Sequence, residues 1–332
     1  MRKLGIVAIV LAGLWSGYWV LGARATGTAL GAWIDARAAE GWVAEYGDIA
    51  TTGYPARFET AITGLELADP ATGVAWSAPA FRILMDSHRP NRITAVWPES
   101  QTVASPFERV TITSAEMTAQ VAFDPGTSLT LNTSEAALRD LHIVSTAGWQ
   151  AALAQGTLTT AQAAAENHHD IRFQVTGLQP ADALRGTLDP AGILPPTIET
   201  LRLDATLGFD APWDRFAIER ARPGITAVDL RELRARWGQM DLRASGNLTV
   251  DADGVPEGRI TVRAENWRQM LDMARAAGLI PEALVPTAAR ALELLAGLSG
   301  APETLDAPLS FQRGYVSFGP IPLGPAPRLV LR

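Results

Sequence analysis

Met240-Asp241-Leu242-Arg243-Ala244-Ser245-Gly246-Asn247-Leu248-Thr249-Val250 alternates without a break. Met240, Leu242, Ala244, Leu248 and Val250 share one parity with Gly246, while Asp241, Arg243, Ser245, Asn247, Thr249 and Asp251 take the other. Successive side chains on a strand point to opposite faces, so the pattern predicts a strand with one dry and one wet face. The turn-forming stretch Asp251-Ala252-Asp253-Gly254-Val255-Pro256-Glu257-Gly258 then reverses the chain, and Ile260, Val262 and Ala264 resume the alternation against Arg259, Thr261, Arg263 and Glu265. The whole predicts a long hairpin.

Outward from this hairpin the same grammar recurs. Leu201, Leu203, Ala205, Leu207 and Phe209 oppose Arg202, Asp204, Thr206 and Asp210; Ile171, Phe173 and Val175 form another set, and Met117, Ala119, Val121 and Phe123 a third. Shorter members are Phe81, Ile83 and Met85; Ile93 and Trp97; Val110 and Ile112; and Leu129 and Leu131. One-sided strands suit antiparallel sheets. The expected fold class is therefore mainly β with a few helices (α+β), built on a long antiparallel one-sided sheet that is either flat or curved like a gutter.

Ahead of the sheet, Leu4 to Leu21 carries no charge and follows Arg2 and Lys3. At about 1.5 Å per residue this run covers roughly 27 Å, close to the ~30 Å hydrocarbon core of a bilayer. The basic pair favours a cytoplasmic N-terminus and a body delivered across the membrane. A cleaved signal is the alternative, since Ala23-Arg24-Ala25 offers an A-x-A pattern. The length of the run and Trp15, Tyr18 and Trp19 near its outer end favour an uncleaved transmembrane helix. Either reading places Thr26 to Arg332 outside the cytoplasm. Gly13 and Gly17 have the spacing of a helix dimer contact, although glycine is common in lone spans.

Helical periodicity is confined to a few places. Thr28 to Tyr46 puts Leu30, Trp33, Ile34, Ala38 and Trp42 on one stripe. Asn266 to Ala277 carries Trp267, Met270, Leu271 and Ala274, and Pro281 to Ala296 opens on Pro281-Glu282 and closes at Gly297. Gly148 to Ala154 and Thr160 to Glu166 are weaker helical stretches. Pro180 to Pro196, rich in Pro, Gly and Asp, reads as an irregular connection. The expected organisation is an anchor or signal at 1–25, a membrane-proximal amphipathic helix at 26–50, an N-terminal β-rich half at 51–190 and a C-terminal β-rich half with two helices at 191–332.

Composition narrows the function classes. Apolar residues make up 47% of the 332 and charged residues 19%, so burial offsets chain entropy and a folded body is expected. A net charge of -7 gives no electrostatic reason to bind nucleic acid. With no cysteine, disulfides, thiolate metal sites and cysteine nucleophiles are excluded together.

Three segments carry a family likeness: Gly53-Tyr54-Pro55-Ala56-Arg57-Phe58; Trp237-Gly238-Gln239-Met240-Asp241-Leu242 running on to Gly246; and Phe311 to Gly324, with Gly314 and Gly319-Pro320-Ile321-Pro322-Leu323-Gly324. Together they resemble the bacterial family called domain of unknown function 2125. The resemblance implies an envelope protein, seated in the bacterial inner membrane with its body in the periplasm, and brings no activity. The layout of anchor, short helix and long one-sided strands is also similar to AsmA-like proteins, which implies lipid movement or outer-membrane upkeep by analogy of architecture. Local physics gives the motifs structural work: Tyr54 before proline favours extended backbone, and Pro320 and Pro322 suit a sheet edge.

Chemistry-bearing residues are sparse. Of four histidines, His168 and His169 are adjacent; on a strand they point to opposite faces, which disfavours a shared metal and leaves an exposed polar strand entry. Gly297-Leu298-Ser299-Gly300-Ala301 only approximates a nucleophile elbow, because a helix precedes it and position 301 is alanine. Asp251 and Asp253 begin like a calcium loop that never completes, and a hairpin turn accounts for them. The tryptophans beyond the anchor read as core material.

The resulting expectation is a non-enzymatic membrane-anchored protein with no catalytic, cofactor-binding or metal residues and no cofactor. Its apolar sheet face, carrying Leu201, Leu203, Leu207, Phe209, Met240, Leu242, Leu248, Val250, Ile260 and Val262, is either a groove that holds or passes phospholipid acyl chains or an ordinary closed core. In the second case the protein is an interaction scaffold for other envelope proteins. A hydrolase using Ser299 is a third, remote reading.

Overall fold

The computed structural model describes residues 2–190, 192–278, 282, 285–298, 302–319 and 321–331. It contains one antiparallel sheet of eighteen strands and a long N-terminal helix. The chain divides into two compact units, the first comprising residues to Phe123 with Ala136–Gly148, the second Asp124–Glu135 with Trp149–Arg332.

Helix α1 (Arg2–Ala39) opens unit 1 as one continuous 38-residue helix. There is no break between the apolar run and the amphipathic stretch expected at 26–50. The helix ends at Ala39, where Gly41 N donates to Ala38 O at 3.0 Å and Trp42 N to Arg37 O at 3.1 Å, a closure of the kind that terminates helices. The remainder of that stretch is extended, in β1 (Val43–Glu45) and β2 (Asp48–Thr52). Leu30 and Ile34 face the sheet, and Ile34 is fully buried with Ile62 and Leu65. Trp33 is half exposed, and the Arg37 guanidinium lies 5.9 Å from its ring. Docking of the second half of α1 on strands explains why a single helix forms: the apolar stripe has a partner as soon as it leaves the uncharged run.

The strands of unit 1 are β3 (Arg57–Asp69), β4 (Val74–Asp86), β5 (Arg89–Val96), β6 (Ser100–Ala104), β7 (Arg109–Thr113), β8 (Glu116–Phe123) and the later part of β9 (Leu131–Ser145). β3 pairs with β4 along one edge and with both β1 and β2 on the other. β4 in turn holds β5 and β6, while β5 pairs with β8 and β7 with β6 and β9.

Unit 2 is a meander of β10 (Gln150–Gln162), β11 (His168–Leu178), β12 (Ile198–Phe209), β13 (Ile225–Trp237), β14 (Met240–Val250), β15 (Pro256–Glu265), β16 (Thr304–Gln312), β17 (Tyr315–Phe318) and β18 (Ile321–Pro325), each paired with its successor. The hairpin expected at Met240–Glu265 is β14 and β15. Asp251 serves its turn, its carboxylate accepting from the amides of Asp253 and Val255 at 2.9 and 2.8 Å. Short helices α2 (Asp182–Leu188) and α3 (Arg215–Glu219) interrupt the meander, and α4 (Trp267–Ala276) and α5 (Val285–Leu298) lie between β15 and β16. Pro281 and Ser299 to Ala301 lie outside the described residues, as does Pro320.

Two helical expectations are corrected. Gly148 to Ala154 and most of Thr160 to Glu166 fall on β10 or just after it. Alanine is the best intrinsic helix former, but propensity is a small term, and pairing with β11 along eight registered positions, Gln155↔Thr176 through Gln162↔His169, overrides it. Pro180 to Pro196, expected as a boundary between halves, lies inside unit 2 and carries α2.

The apolar face of β13 to β16 is packed. Leu242, Met270, Leu271 and Leu295 surround a buried cluster of Ala264, Trp267, Leu292, Ala296 and Leu305, so α4 and α5 cover this end of the face. Next to it Ala244, Leu248, Ile260 and Phe311 form a second cluster with Val262, Leu309, Val316 and Ala326. On the opposite face β13 carries a bulge, with Arg231 the extra residue between Leu230 and Leu233. The bulge lets both leucines join the apolar face and leaves Arg231 among Asp204, Asp170 and Thr206.

Candidate apolar pocket of the second unit

β11 and β12 place His169 opposite Leu207 and Ile171 opposite Ala205. Because these residues share the parity of Phe173, Val175, Leu203 and Leu201, the imidazole of His169 lies on the apolar face. It is 4% exposed. The expectation of an exposed polar entry is therefore corrected for His169, and the signal was present in its place on the odd-numbered apolar series. His168 points to the other face, its Nδ1 2.6 Å from Glu166 O, so the two rings are separated by the sheet.

Around His169 the chain forms a pocket of about 280 Å³. Leu131, Ile171, Leu207, Phe209, Trp213 and Leu331 provide its apolar wall, and Ser134, Thr160 and His169 its polar atoms. Phe209 stands edge-on to Trp213 at 5.6 Å and to His169 at 6.0 Å, the geometry aromatic quadrupoles favour. The loop bearing Trp213 is fixed at both ends. Its carbonyl accepts from Leu131 N at 2.7 Å, and the next residue, Asp214, caps α3 by accepting from the amides of Phe216 and Ala217 at 2.8 and 3.2 Å.

The polar complement of the wall is small. Ser134 and Thr160 hydrogen-bond each other at 2.8 Å. Burial pushes the His169 imidazole below its ordinary pKa, against the weaker opposing pull of Asp170, so the ring is neutral near pH 7. Its Nδ1 is buried with no hydrogen-bond partner. Behind the pocket, on the wet face, Asp170 is held below the usual carboxylate range by the hydrogen bond from Thr206 and the nearby Arg231.

Of the residues expected to line a groove, Leu207 and Phe209 reach this pocket. Leu201 and Leu203 continue the same face, half-buried opposite Ala235 and Leu233. Met240, Leu248, Val250 and Ile260 are buried, and Leu242 and Val262 pack against the two clusters. Leu131, Trp213 and Leu331 join the wall from segments far apart in sequence, which no local period could announce. Among the described residues no three histidine, aspartate or glutamate side chains gather as a metal site.

The family described as "Uncharacterized protein conserved in bacteria (DUF2125)" matches residues 19–327. No curated protein and no solved structure matches, so the likeness to AsmA-like proteins stays one of layout.

Proposed function

We propose, on the premise that this chain belongs to the bacterial family DUF2125, that it is a non-enzymatic envelope protein, held in the inner membrane by α1 with its body in the periplasm, and that it binds one acyl-chain segment in the pocket beside His169. The observation that carries this reading is the pocket itself, an apolar cavity with the neutral His169 imidazole, Ser134 and Thr160 among its lining residues. Ligand sites commonly combine an apolar lining with a few polar groups. A volume near 280 Å³ stands at the lower edge of the ~300–1,000 Å³ typical of such sites, so it suits a chain end or a short branched tail and not a whole phospholipid.

The same geometry argues against a conduit. At one end the face along β13 to β16 is filled by α4, α5 and their cluster, which would block a continuous path. Arg2 and Lys3 ahead of the apolar run favour this orientation.

An interaction scaffold for other envelope proteins is the second reading, favoured by the packed core and the charged outer face around Arg231. Native mass spectrometry of the full chain, purified from membranes in mild detergent, separates the two. A retained acyl ligand that disappears in Leu207→Trp, with the melting transition kept, supports binding. An apo mass for the wild type leaves the scaffold.

A further inference from the structure

Four side chains of α1 are bonded to two loop tips of unit 1. Trp15 Nε1 donates to Pro55 O at 3.1 Å, Ser16 Oγ lies 2.7 Å from the Tyr54 hydroxyl, Tyr18 OH donates to Ser87 O at 2.9 Å and Trp19 Nε1 donates to Arg57 O at 3.0 Å. The Trp19 ring also stacks on Phe58 at 5.7 Å, with 17° between planes. The tips are the turn joining β2 to β3, at Gly53 to Ala56, and the turn joining β4 to β5, at Ser87 and His88.

These bonds start too early on the helix for the tips to stand clear of a bilayer. From Leu4 to Trp15 the helix rises roughly 16 Å, about half of a ~30 Å hydrocarbon core. We infer that the two tips are seated in the outer leaflet of the membrane that α1 spans, within the outer half of its acyl-chain region. The inference rests on the anchoring part of the reading above and is independent of the pocket.

The hydrogen bonding of the tips fits that medium. Irregular backbone is costly in lipid unless its polar groups are satisfied within the protein. Gly53 O accepts from the amides of Ala56 and Arg57, Ala56 O from Ser87 N at 3.0 Å, and Pro55 O from both Trp15 and the Ser87 hydroxyl at 2.8 Å. Trp19 and Tyr18 of α1 add donors to Arg57 O and Ser87 O. Tyr54 leans on Ser16 and Trp19 yet stays 54% exposed, Pro55, Ala56 and His88 are exposed beside it, and the exposed Arg57 and Arg89 stand at the base of the tips where phosphates would lie. An amphipathic ring flanked by cations is interface chemistry. The segment Gly53 to Phe58, which carries part of the family likeness, thereby acquires a role that a strand entry alone does not explain.

The chain has no cysteine, so single introduced cysteines can be spin-labelled without background. In full-length protein reconstituted in phosphatidylcholine and phosphatidylglycerol vesicles, labels at Ala56→Cys and His88→Cys should collide with dissolved oxygen more than with a water-soluble nickel chelate. Leu11→Cys on the anchor should do the same. Thr72→Cys, at the far end of β3 and roughly 40 Å along the strand from the tip, should show the reverse order. Ala56 and His88 labels that behave like Thr72 while Leu11 reads as lipid would overturn the inference and leave the anchor standing. A Leu11 label that reads as water would overturn the anchor, and the inference with it.

Discussion

Gly22 faces the ring of Phe58 so closely that a Cβ on the glycine would sit 2.7 Å from the ring's Cζ. Phe58 cannot swing aside freely, since it is buried under Trp19 and Tyr18. Gly22→Val should therefore push α1 off β3 and destabilise unit 1 by about 1–3 kcal/mol, the usual range for overpacking. Gly13→Val and Gly17→Val, with nothing within 4 Å, should leave the melting temperature in detergent unchanged.

Leu242→Asp places a carboxylate against the apolar cluster of Trp267, Ala264 and Leu305. A loss of at least about 2 kcal/mol is expected, with the unfolding transition shifted down in a denaturant titration. Retention of the wild-type transition would show that this face is open to water.

His169 sets a pH dependence. Its folded-state pKa is lowered by burial from the ordinary value of about 6.5. Below that value the unfolded chain takes up the proton first, so stability is complete above it and is lost as the pH falls through and beneath it. Denaturation midpoints should drop between about pH 7.5 and about pH 5.5, and His169→Phe should flatten that drop. At the higher pH the variant should lie within about 1 kcal/mol of the wild type, because removing a buried unpaired nitrogen offsets its own loss. Asp170 and Asp241, both held low, act only in the acid range beneath the ordinary carboxylate value and do not overlap.

Gly246 lies opposite Ile260 with φ 151°, and an added Cβ would stand 2.2 Å from Arg259 O. Gly246→Ala should cost about 1–3 kcal/mol through backbone strain. By contrast Gly297, within α5 and with nothing in 4 Å of a new Cβ, should gain roughly 0.5–1 kcal/mol as alanine. Chemical denaturation of the two variants beside the wild type checks both signs.

The meander was legible because its residues report their own environment: the period of two from Met240 to Glu265 is the imprint of a face packed by α4 and α5 on one side and wet on the other. Gln150 to Gln162 failed for the opposite reason. Its burial is graded and its alanines and threonines fit either period, so only the neighbouring strand decides. The pocket was half legible. Leu207 and Phe209 stand on an apolar series, and His169 could have been read there too, but Trp213 and Leu331 reach the wall through loop and terminal paths that depend on the finished fold. The clamp of Trp15 and Trp19 on Pro55 and Arg57 lay equally out of reach, since a tryptophan near a membrane boundary reads the same whether it meets lipid or a carbonyl.

In unit 2, from β10 to β18 each strand finds its partner in the one just before it. As the chain lengthens from its N-terminus, each new strand thus finds a partner already in place. Each addition closes only the turn or connection that precedes it, and the entropic toll of loop closure is largest at the connection that carries α4 and α5, with smaller ones at α2 and α3. Assembly can proceed strand by strand, with one newly added edge open at a time.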